Sequence, residues 1–522
     1  MLHKFMIWKT NKNQSGRYPA YVFYHTDFSS SRKELIKRDM AFSDDEQQIR
    51  DILQFEIAEN VKKGWEEVEF VISIDMGKFE IKDGKAIIPE GTTVIPQWEF
   101  RGREDLYEVT LPEGLAEIQG GAFKNCVNLK SIHIPASVKK IGSTPFEGCS
   151  GLVSITVDEN NTCYDSREGC NAIIYDISVP PIRIPAVLIQ GCAATVVPES
   201  VRVIGNGAFS GMSSLESIKI PSSVTHLGEE EWGFGPFEHC TSLKEISIPA
   251  SVKYIRSTTF AGCTSLESIV VEESNPAYDS RENCNAIIET KSDTLIISSL
   301  NTTIPSTVKK IDVSAFHGCE RLEKIVIPKG IKIISANAFR GCKSLKSVSL
   351  PEGLEQIGHR AFQGCTALES IEIPASVTDI GQAPFAGCTS LVSIKVHPDN
   401  TVYDSREDCN ALIKTDENLL LALSRDAFIP ATVKKLHEDA VCGGQTKITI
   451  PKGITSVPWA FFDPAYQTLT TLEFPTGLSG LPKGVFDSLD FLTAIYVPAK
   501  KSDYYKKRIP EKLHPLIIEL ES

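Results

Sequence analysis

A 23-residue unit recurs thirteen times in this chain of 522 residues, and it constrains the fold more than any other feature of the sequence. One copy, residues 112–134, reads PEGLAEIQGGAFKNCVNLKSIHI, and the next, residues 135–157, reads PASVKKIGSTPFEGCSGLVSITV. A fixed period of about 20–50 residues predicts a solenoid, in which each unit buries its apolar face against its neighbours. The other copies start at Pro89, Pro198, Pro221, Pro249, Pro305, Pro328, Pro351, Pro374, Pro430, Pro451 and Pro475.

Each copy carries the signals of one strand and one tight turn. The ending Leu-x-x-Ile-x-Ile alternates with period two, so Ile132 and Ile134 are expected on one strand face. The proline that follows has no amide donor and ends the ladder. The third position is always Gly, Ser or Thr, which suits a tight turn, and a hydroxyl there can bond neighbouring backbone.

Phenylalanine and cysteine also recur at fixed positions. Phe occurs in twelve copies, which predicts a continuous stack of rings, each contributing about 1.5–3 kcal/mol once a neighbouring coil covers it. Met212 replaces Cys in one copy, and no CxxC occurs, so we interpret the repeat thiols as small buried hydrophobes rather than disulfide, metal or catalytic groups. The predicted structural residues are Phe123, Phe146, Phe209, Phe260, Phe316, Phe339, Phe362, Phe385, Cys126, Cys149, Cys240, Cys263, Cys319, Cys342, Cys365 and Cys388.

The unit Pro-x-[Gly/Ser]-Val-x-x-Ile-Gly-x-x-Ala-Phe-x-Gly-Cys-x-x-Leu-x-x-Ile resembles the BspA-like leucine-rich repeat family (type 5) of bacteria and some parasitic protists. The resemblance extends from Pro89 to the C-terminus. It implies an α/β-type repeat solenoid, a right-handed leucine-rich repeat superhelix with a concave parallel β-sheet. The chain departs from the general leucine-rich pattern, because Gly, Ser or Thr stands where an Asn ladder is usual.

The repeats define three predicted regions: residues 1–85, the solenoid at 86–498 and a C-terminal cap at 499–522. Ser43-Asp-Asp-Glu46 is a capping box, and apolar residues at helical spacing follow it up to Gly64. Strand-like segments at 20–25 and 68–74 flank this helix, so residues 1–85 are expected to form a small α+β domain, either a solenoid cap or a separate binding module.

One motif appears three times: YDSREGCNAII at 164–174, YDSRENCNAII at 278–288 and YDSREDCNALI at 403–413. It lies in longer coils near 158–197, 272–304 and 397–429, which read as β-hairpins. We favour a structural role, with Arg281 paired to an acid or carbonyl and Cys284 buried. No His accompanies the cysteines at a fixed position, which disfavours thiol catalysis. Calcium is the stronger alternative, with candidate ligands Asp158, Asp165, Asp399 and Asp404.

One repeat carries an insertion, GEEEWGFGP, between Leu227 and Phe237. Solenoid insertions often map to a binding face, and aromatic residues beside charge suit protein recognition. The alternative is a solvated acidic loop with its tryptophan folded back onto the solenoid. The candidate partner-binding residues are Glu230, Glu231, Trp232 and Phe234.

Composition and motifs disfavour several classes of function. A net charge of −13 without a basic stripe disfavours nucleic acid, and no run of about 20 apolar residues predicts a membrane span. No catalytic or cofactor fingerprint is present, so we expect a non-catalytic protein-binding scaffold without cofactors. The resemblance implies adhesion or recognition of a host or surface protein through the concave face and protruding loops. An intracellular scaffold is the alternative, and a thiol- or metal-dependent enzyme is a remote one.

The N-terminal sequence and the family resemblance predict different cellular locations. The apolar stretch at 5–8 has only four residues before Lys9, shorter than a secretory signal requires, which favours the cytoplasm. The family resemblance instead favours a secreted or cell-surface protein.

Overall fold

The computed structural model describes residues 3–9, 21–27, 36–43, 79–176, 185–229, 233–462, 468–486, 489 and 491–521. The chain divides into two compact units, Met1–Phe146 and Glu147–Ser522. At the start of the first unit, strands His3–Lys9, Tyr21–Asp27 and Ile36–Ser43 form an antiparallel sheet in that order. The strand predicted at 20–25 is present, whereas the predicted helix before Gly64 and the strand at 68–74 lie outside the described residues.

The repeats of the first unit form two parallel ladders. In the main ladder the alternating Ile-x-Ile ending of each copy pairs with the same segment one coil away, while a second ladder of two-residue strands follows the turn after each proline. Ile81–Lys82 pairs antiparallel with the first main strand. The main strands are Lys85–Ile87, Glu108–Thr110 and Ser131–Ile134, and the short strands are Val94–Ile95, Glu117–Ile118 and Lys140–Ile141.

The second unit repeats this arrangement over more coils. Alternation buries every second residue of a main strand, as in Ser370–Ile373, where Ile371 and Ile373 lie in the core and Ser370 and Glu372 in solvent. Its main strands are Ser154–Val157, Glu245–Ile248, Ser268–Val271, Lys324–Val326, Ser347–Ser349, Ser370–Ile373, Ser393–Val396, Lys447–Thr449, Thr471–Glu473, Ala494–Val497 and Ile517–Glu519. Its short strands are Val203–Ile204, His226–Leu227, Tyr254–Ile255, Lys310–Ile311, Ile333–Ile334, Gln356–Ile357, Asp379–Ile380 and Lys435–Leu436.

The three longer coils contain the predicted hairpins. In each coil a two-residue strand, a four-residue strand and a five-residue strand pair antiparallel, and the last strand then pairs parallel with the short-strand ladder. The long coils therefore join the solenoid rather than projecting from it. Their strands are Tyr164–Asp165, Ala172–Tyr175 and Val187–Gly191; Tyr278–Asp279, Ala286–Glu289 and Thr294–Ser298; and Tyr403–Asp404, Ala411–Lys414 and Leu419–Leu423.

Helices are few and short in the described residues. The α-helix Ser502–Lys506 brings Tyr505 against the last coils, where its ring stacks on Phe474 at 5.5 Å and is 1% exposed. The 3₁₀ segments are Arg167–Gly169, Arg281–Asn283, Arg406–Asp408, Lys483–Phe486 and Glu511–Leu516. The predicted parallel-strand repeat solenoid is confirmed; the region boundaries at 85 and 498 stay predictions.

The phenylalanine rings stack in separate runs. In the first unit the centroid of Phe123 lies 5.1 Å from both Phe100 and Phe146, and in the second unit Phe339 lies 4.7 Å from Phe316 and 5.2 Å from Phe362. The expectation of a continuous stack was wrong. The hairpin coil between Phe260 and Phe316 supplies no ring to the stack. Its Ser298 lines a cavity of about 20 Å³ beside Phe260. The run Phe209–Phe237–Phe260 ends on one side of this coil, and the run Phe316–Phe339–Phe362–Phe385 begins on the other.

The fourteen cysteines are free thiols, and their repeat positions do more than fill space. The thiol of Cys342 donates to the carbonyl of Phe316 at 3.2 Å, one coil earlier, and Cys388 donates to Phe362 at 3.1 Å. Burial raises the pKa of Cys240 to about 12, so the thiol keeps its proton and stays a donor. The same bond is made by Cys126, Cys240, Cys263 and Cys365.

Candidate functional site

The triplicated motif builds a charged clamp in each long coil. In the second copy the guanidinium of Arg281 donates to both carboxylate oxygens of Asp279, at 2.7 and 2.6 Å, and to Asp293 at 2.9 Å. The hydroxyl of Thr290 donates to Asp279 at 2.8 Å. Burial alone would raise the pKa of Asp279, but the guanidinium and hydroxyl outweigh it and lower that pKa. The predicted ion pair of Arg281 is therefore present.

The other copies reproduce this clamp, which bears on the proposed calcium ligands. Asp165 is held by Arg167, and Asp404 by Arg406 and the hydroxyl of Thr415. A cation would have to displace a guanidinium from each carboxylate. Asp158 instead accepts the backbone N–H of residue 160, and the side chain of Asp399 is 85% exposed. Within the described residues, no group of three or more His, Cys, Asp or Glu side chains is arranged to hold a metal ion.

An asparagine three residues before each tyrosine completes the motif, and the sequence analysis missed its role. The amide nitrogen of Asn275 donates to the carbonyls of Pro249 and Val252, at 2.9 and 3.0 Å, in the preceding coil. Its oxygen accepts the backbone N–H groups of Ala277 and Tyr278, both at 2.9 Å. The available signal was the shared register Asn-x-x-Tyr-Asp-Ser-Arg at Asn161, Asn275 and Asn400.

The remaining motif residues also tie each long coil to its neighbours. The hydroxyl of Tyr403 accepts the backbone N–H of Ile380 at 2.9 Å, in the position where another short strand would pair. The hydroxyl of Ser405 accepts the N–H of Val396 at 3.0 Å, and Cys409 is fully buried. The Asn, Tyr, Asp, Ser and Arg side chains of the motif thus bond to backbone or to neighbouring side chains, which indicates a structural role.

The insertion between Leu227 and Phe237 is described only in part. Glu230, Glu231 and Trp232 lie outside the described residues. Phe234 is 38% exposed, and its carbonyl accepts the backbone N–H of Gly207 at 3.1 Å. The recognition role of these four residues stays a prediction.

A depression of about 440 Å³ lies on the solvent face of the main ladder in the second unit. Strand alternation places small hydroxyl side chains there, at residues 347, 349, 370 and 393, with Glu352, Glu372 and Lys395 around them. These serine hydroxyls make no hydrogen bond within the part of the chain that the structure describes. The floor is polar, because these serines expose their hydroxyls between the longer side chains of Glu372 and Lys395.

Within the described residues, the charged side chains of this depression make no ion pair, whereas some other lysines along the main ladders pair with a glutamate one coil away. Lys346 pairs with Glu323 at 3.2 Å and Lys447 with Glu473 at 2.8 Å, in each case across neighbouring coils. Glu372 and Lys395 are lateral neighbours in the ladder, yet neither makes an ion pair within the described residues. Their charges are available to an incoming group, and the arrangement offers binding rather than proton transfer or nucleophilic attack.

None of the described helices has the length and apolar character needed to cross a membrane. A search of curated proteins found no match. Similar solved structures include the pneumococcal vaccine antigen PcpA, with 18% identity over 84% of this chain and 80% of that one (TM-score 0.33). A leucine-rich repeat protein from Eubacterium ventriosum shares 19% identity over 81% and 89% (TM-score 0.38). A leucine-rich cell surface protein from Faecalibacterium prausnitzii shares 20% over 81% and 98% (TM-score 0.38).

A family model gives the broadest match. The model described as BspA type leucine-rich repeat region (6 copies) matches residues 79–193, 189–308, 294–409 and 425–508. These segments span well over half of the sequence and coincide with the coils described above. The chain therefore belongs to the BspA-type leucine-rich repeat family, a family of repeat scaffolds.

Proposed function

We propose that this protein is a non-catalytic scaffold that recognises a protein partner through the solvent face of its main ladder in residues 324–396. The observation that carries the proposal is the depression floored by unbonded serine hydroxyls and bordered by the unpaired charges of Glu372 and Lys395. Small side chains let a partner's backbone approach closely, and free hydroxyls can donate to or accept from it. The two opposite charges fix the orientation of a complementary partner.

Several features support a binding role over catalysis. The acidic and guanidinium groups of the triplicated motif already bond to each other, as Asp279 and Arg281 do. Burial raises the pKa of repeat thiols such as Cys263. A buried thiol that keeps its proton is a poor nucleophile. The parallel solenoid presents a long regular surface, which repeat proteins use for extended contacts. We propose adhesion or surface recognition as the biological setting, with an intracellular scaffold as the alternative.

A steric block in the depression tests the recognition surface. Ser370→Arg places a long charged side chain on the floor, whereas Ser306→Arg adds the same group at an exposed turn outside the main ladder. Partners captured by the unmodified protein in its source organism are identified by mass spectrometry and compared between variants. We expect a partner lost with Ser370→Arg and kept with Ser306→Arg. Equal capture by both variants would remove the main-ladder face as the recognition surface.

The setting is tested separately by location. Surface labelling and fractionation of the source cells should recover an adhesin on the outside of the cell. Recovery chiefly from the cytoplasm would replace adhesion with the intracellular scaffold.

A further inference from the structure

A second polar cluster lies on two consecutive coils, in the turns that follow the short strands and contain the buried phenylalanines. Asn337 and Arg340 form one turn, closed by the N–H of Arg340 donating to the carbonyl of Asn337 at 3.0 Å. Arg360 and Gln363 form the same turn one coil later, at 3.1 Å. A 23-residue offset sets Asn337 beside Arg360 and Arg340 beside Gln363, so we call these four residues the arginine block.

The two guanidinium groups of the arginine block have no carboxylate. Neither Arg340 nor Arg360 makes an ion pair or side-chain hydrogen bond within the described residues, and the Nε–H of Arg360 is shielded from solvent without an acceptor. By contrast, Arg103, Arg281 and Arg406 each bind an aspartate two residues away. The side-chain oxygens of Asn337 and Gln363 are also shielded without a donor, so the block holds three buried polar atoms without a hydrogen-bond partner in the described part of the chain.

Two neighbouring histidines, His317 and His359, lie close enough to feel the charges of these guanidinium groups. Burial is the main cause that lowers the pKa of His359, and the charge of Arg360 lowers it further. Asp439 and a backbone hydrogen bond with Gln382 oppose this lowering, and Arg340 adds the smallest contribution to it. His317 on the preceding coil has its pKa lowered by burial and by Arg340. The whole chain carries a net charge of −13, so this local excess of cations runs against its average.

We propose that the arginine block binds an acidic peptide segment of a protein partner, whose carboxylates pair with Arg340 and Arg360. Guanidinium groups bind carboxylates through two parallel N–H···O bonds, and the Nη groups of Arg340 and Arg360 are the donors that remain accessible to a partner. This surface rests on the proposed function, because it assigns the acidic segment to a protein partner. It lies on a different part of the coil from the main-ladder depression and is tested independently of it.

The test uses the full chain and a fluorescein-labelled hexaglutamate peptide, with binding followed by fluorescence anisotropy. General electrostatics repel this peptide from a protein of charge −13, so binding requires a local cationic site. We expect Arg340→Gln with Arg360→Gln to weaken binding at least tenfold. The matched control, Arg321→Gln with Lys329→Gln, removes two exposed charges outside the block and should change binding less than twofold.

Further measurements make the outcome decisive. The melting temperature of the double variant should not fall, since neither arginine has an intramolecular partner to lose. Ser370→Arg should leave peptide binding unchanged, which separates this surface from the main-ladder depression. No binding, or equal loss in the control variant, would overturn the proposal. Competition by inorganic phosphate or sulfate beyond that of sodium chloride at equal ionic strength, without peptide binding, would replace the acidic peptide with a free tetrahedral anion.

Discussion

Replacing Asn275 with Asp separates the structural role of the triplicated motif from the calcium alternative. The two side chains have nearly the same shape, but Asp has no amide donor. The carbonyls of Pro249 and Val252, now bonded at 2.9 and 3.0 Å, would lose their donors and face a carboxylate. Asn275 is only 8% exposed, so water cannot replace those bonds fully.

The expected loss follows from those two bonds. Each buried carbonyl left without a donor costs about 1–3 kcal/mol, so Asn275→Asp should lower the free energy of unfolding by about 2–6 kcal/mol at neutral pH. Burial near two carbonyl oxygens raises the pKa of the new carboxyl in the folded protein above its unfolded value of about 3.9. The penalty therefore shrinks as the pH falls through the raised pKa, because the protonated acid can donate one bond.

Urea unfolding followed by far-ultraviolet circular dichroism measures the loss of unfolding free energy in Asn275→Asp. The measurement is made at neutral and mildly acidic pH, with and without millimolar Ca²⁺. The structural role predicts destabilisation that acid relieves and calcium does not. In a calcium site an added carboxylate would instead strengthen binding, and Ca²⁺ would stabilise the variant. Unchanged stability, or stabilisation by Ca²⁺, would refute the reasoning. Asn400→Asp is a second test, since Asn400 makes the same contacts in the third copy.

Three other predictions concern the packing and the charged clamp. Phe339→Ala should lower the free energy of unfolding by about 3–5 kcal/mol, because the ring is fully buried. Phe339→Leu should lower it by about 1–3 kcal/mol, because two ring contacts are lost. Urea unfolding that leaves both variants at wild-type stability would contradict the stacking role. Arg281→Ala should cost about 1–3 kcal/mol at neutral pH. The lowered pKa of Asp279 means that the ion pair stabilises above about pH 4 and is lost below it, so the penalty should shrink in acid; a pH-independent penalty would argue against the pair. A thiol reagent should titrate fourteen groups in denatured protein, with Cys163 the first to react in the native state and Cys240 protected; several native disulfides would overturn the thiol assignment.

The coil and its strand were predictable because they are local. The ending Leu-x-x-Ile-x-Ile, the proline after it and the fixed period specify a strand, a stop and a stacking partner within one unit. The hairpins were also readable, since apolar runs flank polar turns such as 290–293. The role of Asn275 was not, because its partners lie 23 and 26 residues earlier and only stacking brings them together.

The candidate surfaces were largely beyond the sequence for the same reason. Whether Glu372 pairs with Lys395, or Arg360 with any carboxylate, depends on side-chain directions across coils, which a repeat pattern does not specify. The sequence did place its candidate site on the insertion at 230–234, where acids and aromatics are adjacent along the chain. The depression instead collects single serines from strands 23 residues apart.

By itself, the sequence determined the repeat, the solenoid and the family, because those follow from residue types at short fixed spacing. The tertiary structure decided which polar groups bond within the protein and which remain available to a partner. It showed Asp279 and Arg281 bound to each other, the thiol of Cys342 bonded to the coil before it, and the stack of rings interrupted at the hairpin coils. Each outcome depends on contacts between coils, and those contacts exist only once stacking has set neighbouring strands about 4.8 Å apart.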